Sequence, residues 1–150
     1  DDLGHGGLET NNPYIRGPRV TELRNEGLYM SRHYVYKFCS PTRGSFLSGR
    51  YPFRLGNTRS NFIPWSRPDG LNTGFDTIPL RLGRLGYSTH HVGKWHLGFY
   101  NASTMMPTKR GFDTFFGYLG GMQDHFTQKL GGMIKCGNVV DLTRNGSPAT

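Results

Sequence analysis

The side chains best suited to chemistry lie in one short run, Cys39-Ser40-Pro41-Thr42-Arg43-Gly44-Ser45-Phe46-Leu47-Ser48-Gly49-Arg50. It sets a small nucleophilic side chain just ahead of a Pro, then a short helical stretch, then a Gly able to stop it. Pro is tolerated at the start of a helix and Gly just past its end. Cys39 is therefore expected at a helix N-terminus, where unpaired N–H groups and the helix dipole favour an anion. Arg43 follows one turn on and brings a planar fork of donors suited to a tetrahedral oxyanion. A nucleophile, an anion cradle and a guanidinium so close together point to chemistry on a sulfate or phosphate ester.

These groups need a strand and a helix to hold them. Leu28 to Val35 alternates loosely and carries Tyr and Val, so a strand is expected there, running into Cys39 and then into a helix over Pro41–Ser48. Upstream, Pro18 to Glu26 reads as a short helix with Val20 and Leu23 on one face and Gly27 closing it. Residues 4–17 and 51–75, rich in Gly, Pro and Asn, read as loop. Thr77 is a good N-cap with Pro79 just inside. Ile78, Leu82 and Leu85 then form one apolar stripe, and Gly86 ends that helix. Tyr87 to Val92 alternates and reads as a strand, leaving Lys94 and His96 beyond its C-terminal end, where open α/β sheets place their ligand sites. Residues 117–137 read as loop, with a short strand expected over Asn138–Leu142. Trp95 and the Phe112, Phe115, Phe116 cluster are expected to pack, and His90 and His91 to be structural or surface residues. The alternation of helices and strands argues an α/β fold.

The chain has 150 residues and a formal charge of +8, from 18 basic and 10 acidic side chains. That balance favours anionic partners such as sulfate esters and anionic polysaccharides. The basic residues are scattered among Gly and aromatics, and no nucleic-acid-binding module is present, so nucleic acid is not an expected partner. No apolar run is long enough to span a membrane. Two cysteines are too few for a disulfide framework, and if Cys39 does the chemistry then Cys136 is left over. Asn101-Ala102-Ser103 and Asn145-Gly146-Ser147 fit the glycosylation acceptor pattern, pointing to a lysosomal or secreted route.

A second stretch completes a pattern: Gly86-Tyr87-Ser88-Thr89-His90-His91-Val92-Gly93-Lys94-Trp95-His96-Leu97-Gly98. The two stretches resemble the paired signatures of the sulfatase family, Cys-x-Pro-Ser/Thr-Arg with its Ser/Thr-Gly-Arg close and, downstream, the run around Gly-Lys-Trp-His. The opening Asp1-Asp2-Leu3-Gly4 resembles the family's metal-binding acidic pair. Pro107-Thr108-Lys109-Arg110-Gly111-Phe112-Asp113-Thr114-Phe115-Phe116-Gly117-Tyr118 resembles the arylsulfatase B (N-acetylgalactosamine-4-sulfatase) branch. The likeness runs from Asp1 to about Tyr118 and, more loosely, through Asn145-Gly146.

The resemblance implies an alkaline-phosphatase-like α/β fold, of which these residues would hold only part of the central sheet. It implies an N-terminal piece of a longer catalytic domain, lacking an apolar strand before Asp1 and a downstream half, and so inactive and marginally folded when isolated. It makes Cys39 the precursor of formylglycine, installed by a formylglycine-generating enzyme, whose hydrate attacks sulfur and later expels sulfate by reforming the aldehyde. Arg43 would hold that hydrate, Lys94 would meet a sulfate oxygen, and His96 would donate to the hydrate or the substrate. Asp1 and Asp2, with the group at Cys39, would ligate Ca²⁺, or Mg²⁺ in its place, since hard oxygen donors suit hard cations. Further metal ligands and a further His and Lys would come from downstream. The implied substrate is a sulfate monoester, an aryl sulfate or a sulfated glycan. The alternatives are a phosphate or phosphonate ester for the same site, or a truncated chain that at most binds anionic glycans.

Overall fold

The computed structural model describes residues 4–56, 63, 67–130 and 139–149. They fall into two compact units, residues 1–35 and 36–150.

The first unit holds a 3₁₀ turn, His5–Gly7, and helix α1, Pro18–Glu26. Gly17 at the N-cap has no side chain to close the helix. Glu9 does so from outside, its Oε2 accepting from the Gly17 N–H (3.2 Å) and the Thr21 hydroxyl (2.9 Å). A carboxylate there is also favoured by the helix dipole. The expected apolar face is not buried: Val20 and Leu23 are 57% and 70% exposed. The strand expected over Leu28–Val35 does not form, and Leu28 is 90% exposed. Alternation alone makes no strand, because an extended segment needs a neighbour to pair its N–H and C=O groups. This unit offers none among the described residues.

The second unit carries helix α2, Cys39–Ser48, and helix α3, Ile78–Arg84. Its sheet comprises β1 (His90–Lys94), β2 (Thr114–Tyr118), β3 (Leu142–Arg144) and β4 (Ser147–Pro148), in that order. β1 and β2 are parallel, with Gly93 opposite Gly117 and Lys94 opposite Tyr118, and the remaining pairs are antiparallel. The architecture is mixed α/β, as the alternation of elements predicts. α2 starts two residues ahead of Pro41 and ends on Gly49, whose φ of 65° is left-handed. β1 begins three residues later than the expected Tyr87. Of the strand expected over Asn138–Leu142, Asn138 lies outside the described residues and the strand β3 begins only at Leu142; β3 and β4 are joined by Asn145-Gly146 with both φ values positive (52° and 92°). That two-residue turn matches the twist of a hairpin. The Asn145 side chain also accepts from the Phe115 N–H at 2.8 Å.

The core gathers Leu47, Leu55, Leu71, Trp95, Leu97, Met106, Phe115 and Leu119. It lies between α2, the β1–β2 pair and the loops that cross over them. The Phe cluster divides, since Phe115 is buried and Phe116 points outward, as successive strand residues must. α3 buries Pro79 rather than its predicted stripe, for Leu85 is 74% exposed. Thr77 stands at the N-cap of α3, yet its hydroxyl donates to the Arg110 carbonyl (2.8 Å) rather than capping the helix.

Arg110 is the polar rivet of this unit. Its buried guanidinium donates to the carbonyls of Thr73 (2.9 Å), Asn72 (3.0 Å) and Phe75 (3.0 Å), with burial lowering its pKa. Arg110→Met would remove the donors and leave three carbonyls facing apolar atoms. The expected loss in chemical denaturation is roughly 2–4 kcal/mol. A change below about 0.5 kcal/mol, the scale of an ordinary surface substitution, would show that the loop does not depend on this clamp.

Candidate functional site

The site is built where the start of α2 meets the end of β1. Cys39 is the first residue of α2, half-buried, with Phe38 at the N-cap in extended geometry. Its Sγ therefore lies by the unpaired N–H groups of a ten-residue helix. Arg43 projects one turn further along and donates from Nη1 to the Lys94 carbonyl, tying α2 to the strand end. Among the described residues its buried Nε has no partner.

Beyond β1 the chain keeps to the parallel ladder for two more residues. Trp95 N–H donates to the Tyr118 carbonyl (2.7 Å) and His96 N–H to that of Leu119 (3.1 Å). The Trp95 indole, buried, donates to the Gly98 carbonyl at 2.9 Å. His96 then takes a φ of 53°, a left-handed conformation uncommon outside glycine. That backbone turns its ring towards α2, so that Nδ1 lies 3.0 Å from Cys39 Sγ across 57 residues of sequence. A second tether runs through Ser40, whose Oγ accepts from the Ile63 N–H (3.1 Å), while the Ile63 backbone bonds the His96 ring.

The four described candidates, Cys39, Arg43, Lys94 and His96, thus converge. Asp1 and Asp2 lie outside the described residues, as does Cys136. Among the described residues no group of three or more His, Cys, Asp or Glu side chains is gathered where it could hold an ion. What surrounds Cys39 is cationic and donor-rich, which suits an anion. His90 is exposed beside Thr114 (2.8 Å). His91 packs edge-on to Trp95, Phe112 and Phe115 and contacts the Lys94 carbonyl. His90 thus stands at the surface and His91 among packed rings. A groove of about 320 Å³ is lined by Arg43, Phe46, His91, Val92 and Trp95, among others. Cys39 and His96 do not line it.

His96 is 3% exposed. Burial, then the Lys94 ammonium, then Arg43 push its pKa from 6.5 down to about 4, against the Ile63 hydrogen bond. It is a neutral imidazole near pH 7, with one nitrogen to donate and one to accept. Burial depresses His91 as well. The unfolded chain takes up the His96 proton near pH 6.5 and the folded chain near pH 4, so stability falls as pH drops between the two. Asp141, whose carboxyl is raised by burial, offsets part of that at the acid end. Denaturant unfolding at pH 5 should give a stability on the order of 2 kcal/mol below that at pH 7. His96→Gln should flatten most of the difference. An equal pH dependence in the two proteins would remove His96 as its source.

The sulfatase family model matches residues 1–136, most of the chain and all of this cluster. The chain belongs to the sulfatase family. This sulfatase chain is 42% identical to Arylsulfatase J of Mus musculus over 149 residues, covering 99% of itself and 23% of that protein. It is 36% identical to human Arylsulfatase A over 119 residues, covering 78% of itself and again 23% of the relative. Mouse N-acetylgalactosamine-6-sulfatase is 34% identical over 125 residues, 78% of this chain and 24% of that protein. The chain thus spans about a quarter of the length of these relatives. Among solved structures, Ps i-CgsB in complex with k-i-k-neocarrahexaose superposes with a TM-score of 0.81 at 30% identity, over 99% of this chain and 35% of that one. PsFucS1 sulfatase from Pseudoalteromonas sp. gives 0.57 at 33% identity, over 74% of this chain and 22% of that one. These names support the sulfatase family broadly and do not single out the arylsulfatase B branch.

Ser40 and Ile63 were not legible as site residues. They act through a hydroxyl and a backbone whose partners lie far along the chain. The Ser next to a helix-starting Cys was the available signal.

Proposed function

We propose that this chain carries the nucleophile half of a sulfuric ester hydrolase that cleaves sulfate monoesters, either aryl sulfates or sulfated sugars of glycosaminoglycans. The observation that carries the reading is the convergence of Cys39, Arg43, Lys94 and His96 at the N-terminus of α2 in a sulfatase-family chain. The narrower arylsulfatase B assignment rests on the run from Pro107 to Tyr118. A glycan substrate is supported by the oligosaccharide in the Ps i-CgsB complex. A lysosomal or secreted location is supported by Asn101, whose acceptor sequence sits on an exposed turn. No helix among the described residues is long and apolar enough to cross a membrane.

The roles follow from charge and position. Formylglycine at position 39 would supply, as its hydrate, a hydroxyl nucleophile and a route for sulfate release. The position fits that group, because the neutral His96 Nδ1 lies at hydrogen-bonding distance from the side-chain heteroatom of residue 39. His96 holds a proton donor or acceptor there without adding charge. The N–H groups of α2 and the guanidinium of Arg43 balance the ester's negative charge, and Lys94 adds a point charge for a sulfate oxygen. Arg43 also fixes the strand end that bears Lys94. Calcium, with magnesium as the substitute, would be held by Asp1, Asp2 and the group at position 39.

The test has two arms. After expression with a formylglycine-generating enzyme, the peptide spanning Cys39 should show the mass of an aldehyde in place of the thiol. The full-length protein should release sulfate from an aryl sulfate much faster than phosphate from the matching aryl phosphate. Thiol alone at Cys39, with a control sulfatase converted in the same cells, would remove Cys39 as precursor. Preference for the phosphate would make the enzyme a phosphoesterase.

A further inference from the structure

The proposed chemistry leaves one buried carboxylate of the second unit unused. Asp141 precedes β3 and is 4% exposed. Its Oδ1 accepts from the Leu119 N–H (3.2 Å) and its Oδ2 from the Gly120 N–H (2.9 Å). Taking a carboxylate out of water is costly unless its oxygens are hydrogen-bonded. Here both oxygens serve successive amides of one turn.

That turn follows β2 and touches His96 at two places. The Leu119 carbonyl accepts the His96 N–H at 3.1 Å. Gly121 lies flat against the imidazole, where any Cβ would fall inside the contact distance of Cε1, Nδ1 and Nε2. Gly120 is equally confined, since a Cβ there would lie 2.8 Å from Asp141 Oδ2 and from Leu130 Cδ2. His96 itself is in a left-handed conformation that its surroundings must enforce.

We propose that Asp141 is a positioning residue for His96: its carboxylate fixes the 119–121 turn, and the turn sets the backbone and ring plane that aim Nδ1 at residue 39. The inference rests on the reading above, in which His96 works on a sulfate ester. A carboxylate is the right group because it presents two acceptors and no donor. An amide at this position would turn an NH₂ towards one of the two N–H groups.

The test uses the full-length protein with Asp141→Ala, Asp141→Asn and, as a control, Thr143→Val. Thr143 is also buried, and its hydroxyl donates to the Gly117 carbonyl rather than to the turn. Each variant is assayed on an aryl sulfate, and the His96 ring is followed by NMR in histidine-labelled protein. Asp141→Ala should lower kcat roughly 10-fold or more with KM little changed, the signature of a misaimed group. It should also shift the His96 resonances. Asp141→Asn, which keeps one acceptor, should fall between and carries the test if the Ala variant does not fold. Gly121→Ala, which displaces the ring directly, should reproduce the kcat loss. Thr143→Val should leave kcat and the His96 resonances as in the parent. Unmoved His96 resonances in the Asp141 variants, or kcat losses no greater than in Thr143→Val, overturn the inference. If the parent turns over no sulfate ester, the proposed function fails, and the His96 resonances alone decide the role of Asp141.

Discussion

Replacing Cys39 by Ala in the full-length protein is expected to abolish sulfate-ester hydrolysis, a loss of at least roughly 10⁴-fold in kcat. The melting temperature should stay within a few degrees of the parent, because the two effects separate on structural grounds. Ala is the best helix former and fits the first position of α2 without strain. The side chain it replaces is half-buried, so the cavity left behind is small. Among the described residues, the side-chain hydrogen bond that disappears is the one to His96 Nδ1. Arg43 would still donate to the Lys94 carbonyl, and Ser40 would still hold Ile63. The anion site therefore survives without a nucleophile, and the variant should still bind inorganic sulfate. Activity of a few per cent of the parent, in protein free of parent contamination, would mean that another group attacks sulfur.

The parts legible in the sequence are those whose signals are local. Pro18 and Pro79 stand at the starts of α1 and α3, Pro41 lies in the first turn of α2, and Gly27, Gly49 and Gly86 lie at or just past the three ends, because φ restriction and chain reversal act within one turn; Gly49 and Gly86 are left-handed, while Gly27 is extended. What those helices bury was not legible. The Ile78, Leu82, Leu85 stripe is periodic, yet α3 buries Pro79, and periodicity cannot say which neighbour a face meets. The strands were harder still. Leu28–Val35 alternates but has no partner among the described residues, whereas Thr114–Tyr118 is a strand because β1 lies beside it, a parallel pairing across more than twenty residues. Asn145-Gly146 was a missed local signal: the dipeptide marks a hairpin as well as a glycosylation acceptor.

The same division runs through the site. Cys39 and Arg43 are readable together because a helix spaces them by one turn. Lys94 and His96 are readable as a pair, but their approach to Cys39 is a tertiary fact. The residues that hold His96 in place, Ser40, Gly121 and Asp141, act mainly through backbone amides and carbonyls, which carry no sequence signature.

Gly117→Ala should be the most damaging single-methyl change to this fold, costing at least about 3 kcal/mol in denaturant unfolding and most of the activity. Gly117 faces Gly93 across the β1–β2 pair. A Cβ there would overlap the Gly93 carbonyl oxygen and press on the carbonyl carbon and nitrogen of the same residue. Those are backbone atoms, so no rotamer change can clear the space. Gly93 cannot easily move aside either, because its φ of +115° is itself open only to glycine. Relief requires β1 to shift away from β2 just before Lys94, Trp95 and His96. The ladder bonds from Trp95 to Tyr118 and from His96 to Leu119 would stretch, and Arg43 would lose its fixed acceptor. Stability and catalysis should therefore fall together, unlike in Cys39→Ala. The measurement is denaturant unfolding beside kcat/KM on an aryl sulfate, with Gly83→Ala as a control, since nothing lies within 4 Å of a Cβ at that position. A Gly117→Ala protein as stable and active as the Gly83→Ala control would show that the close approach of β1 and β2 is not what holds the site.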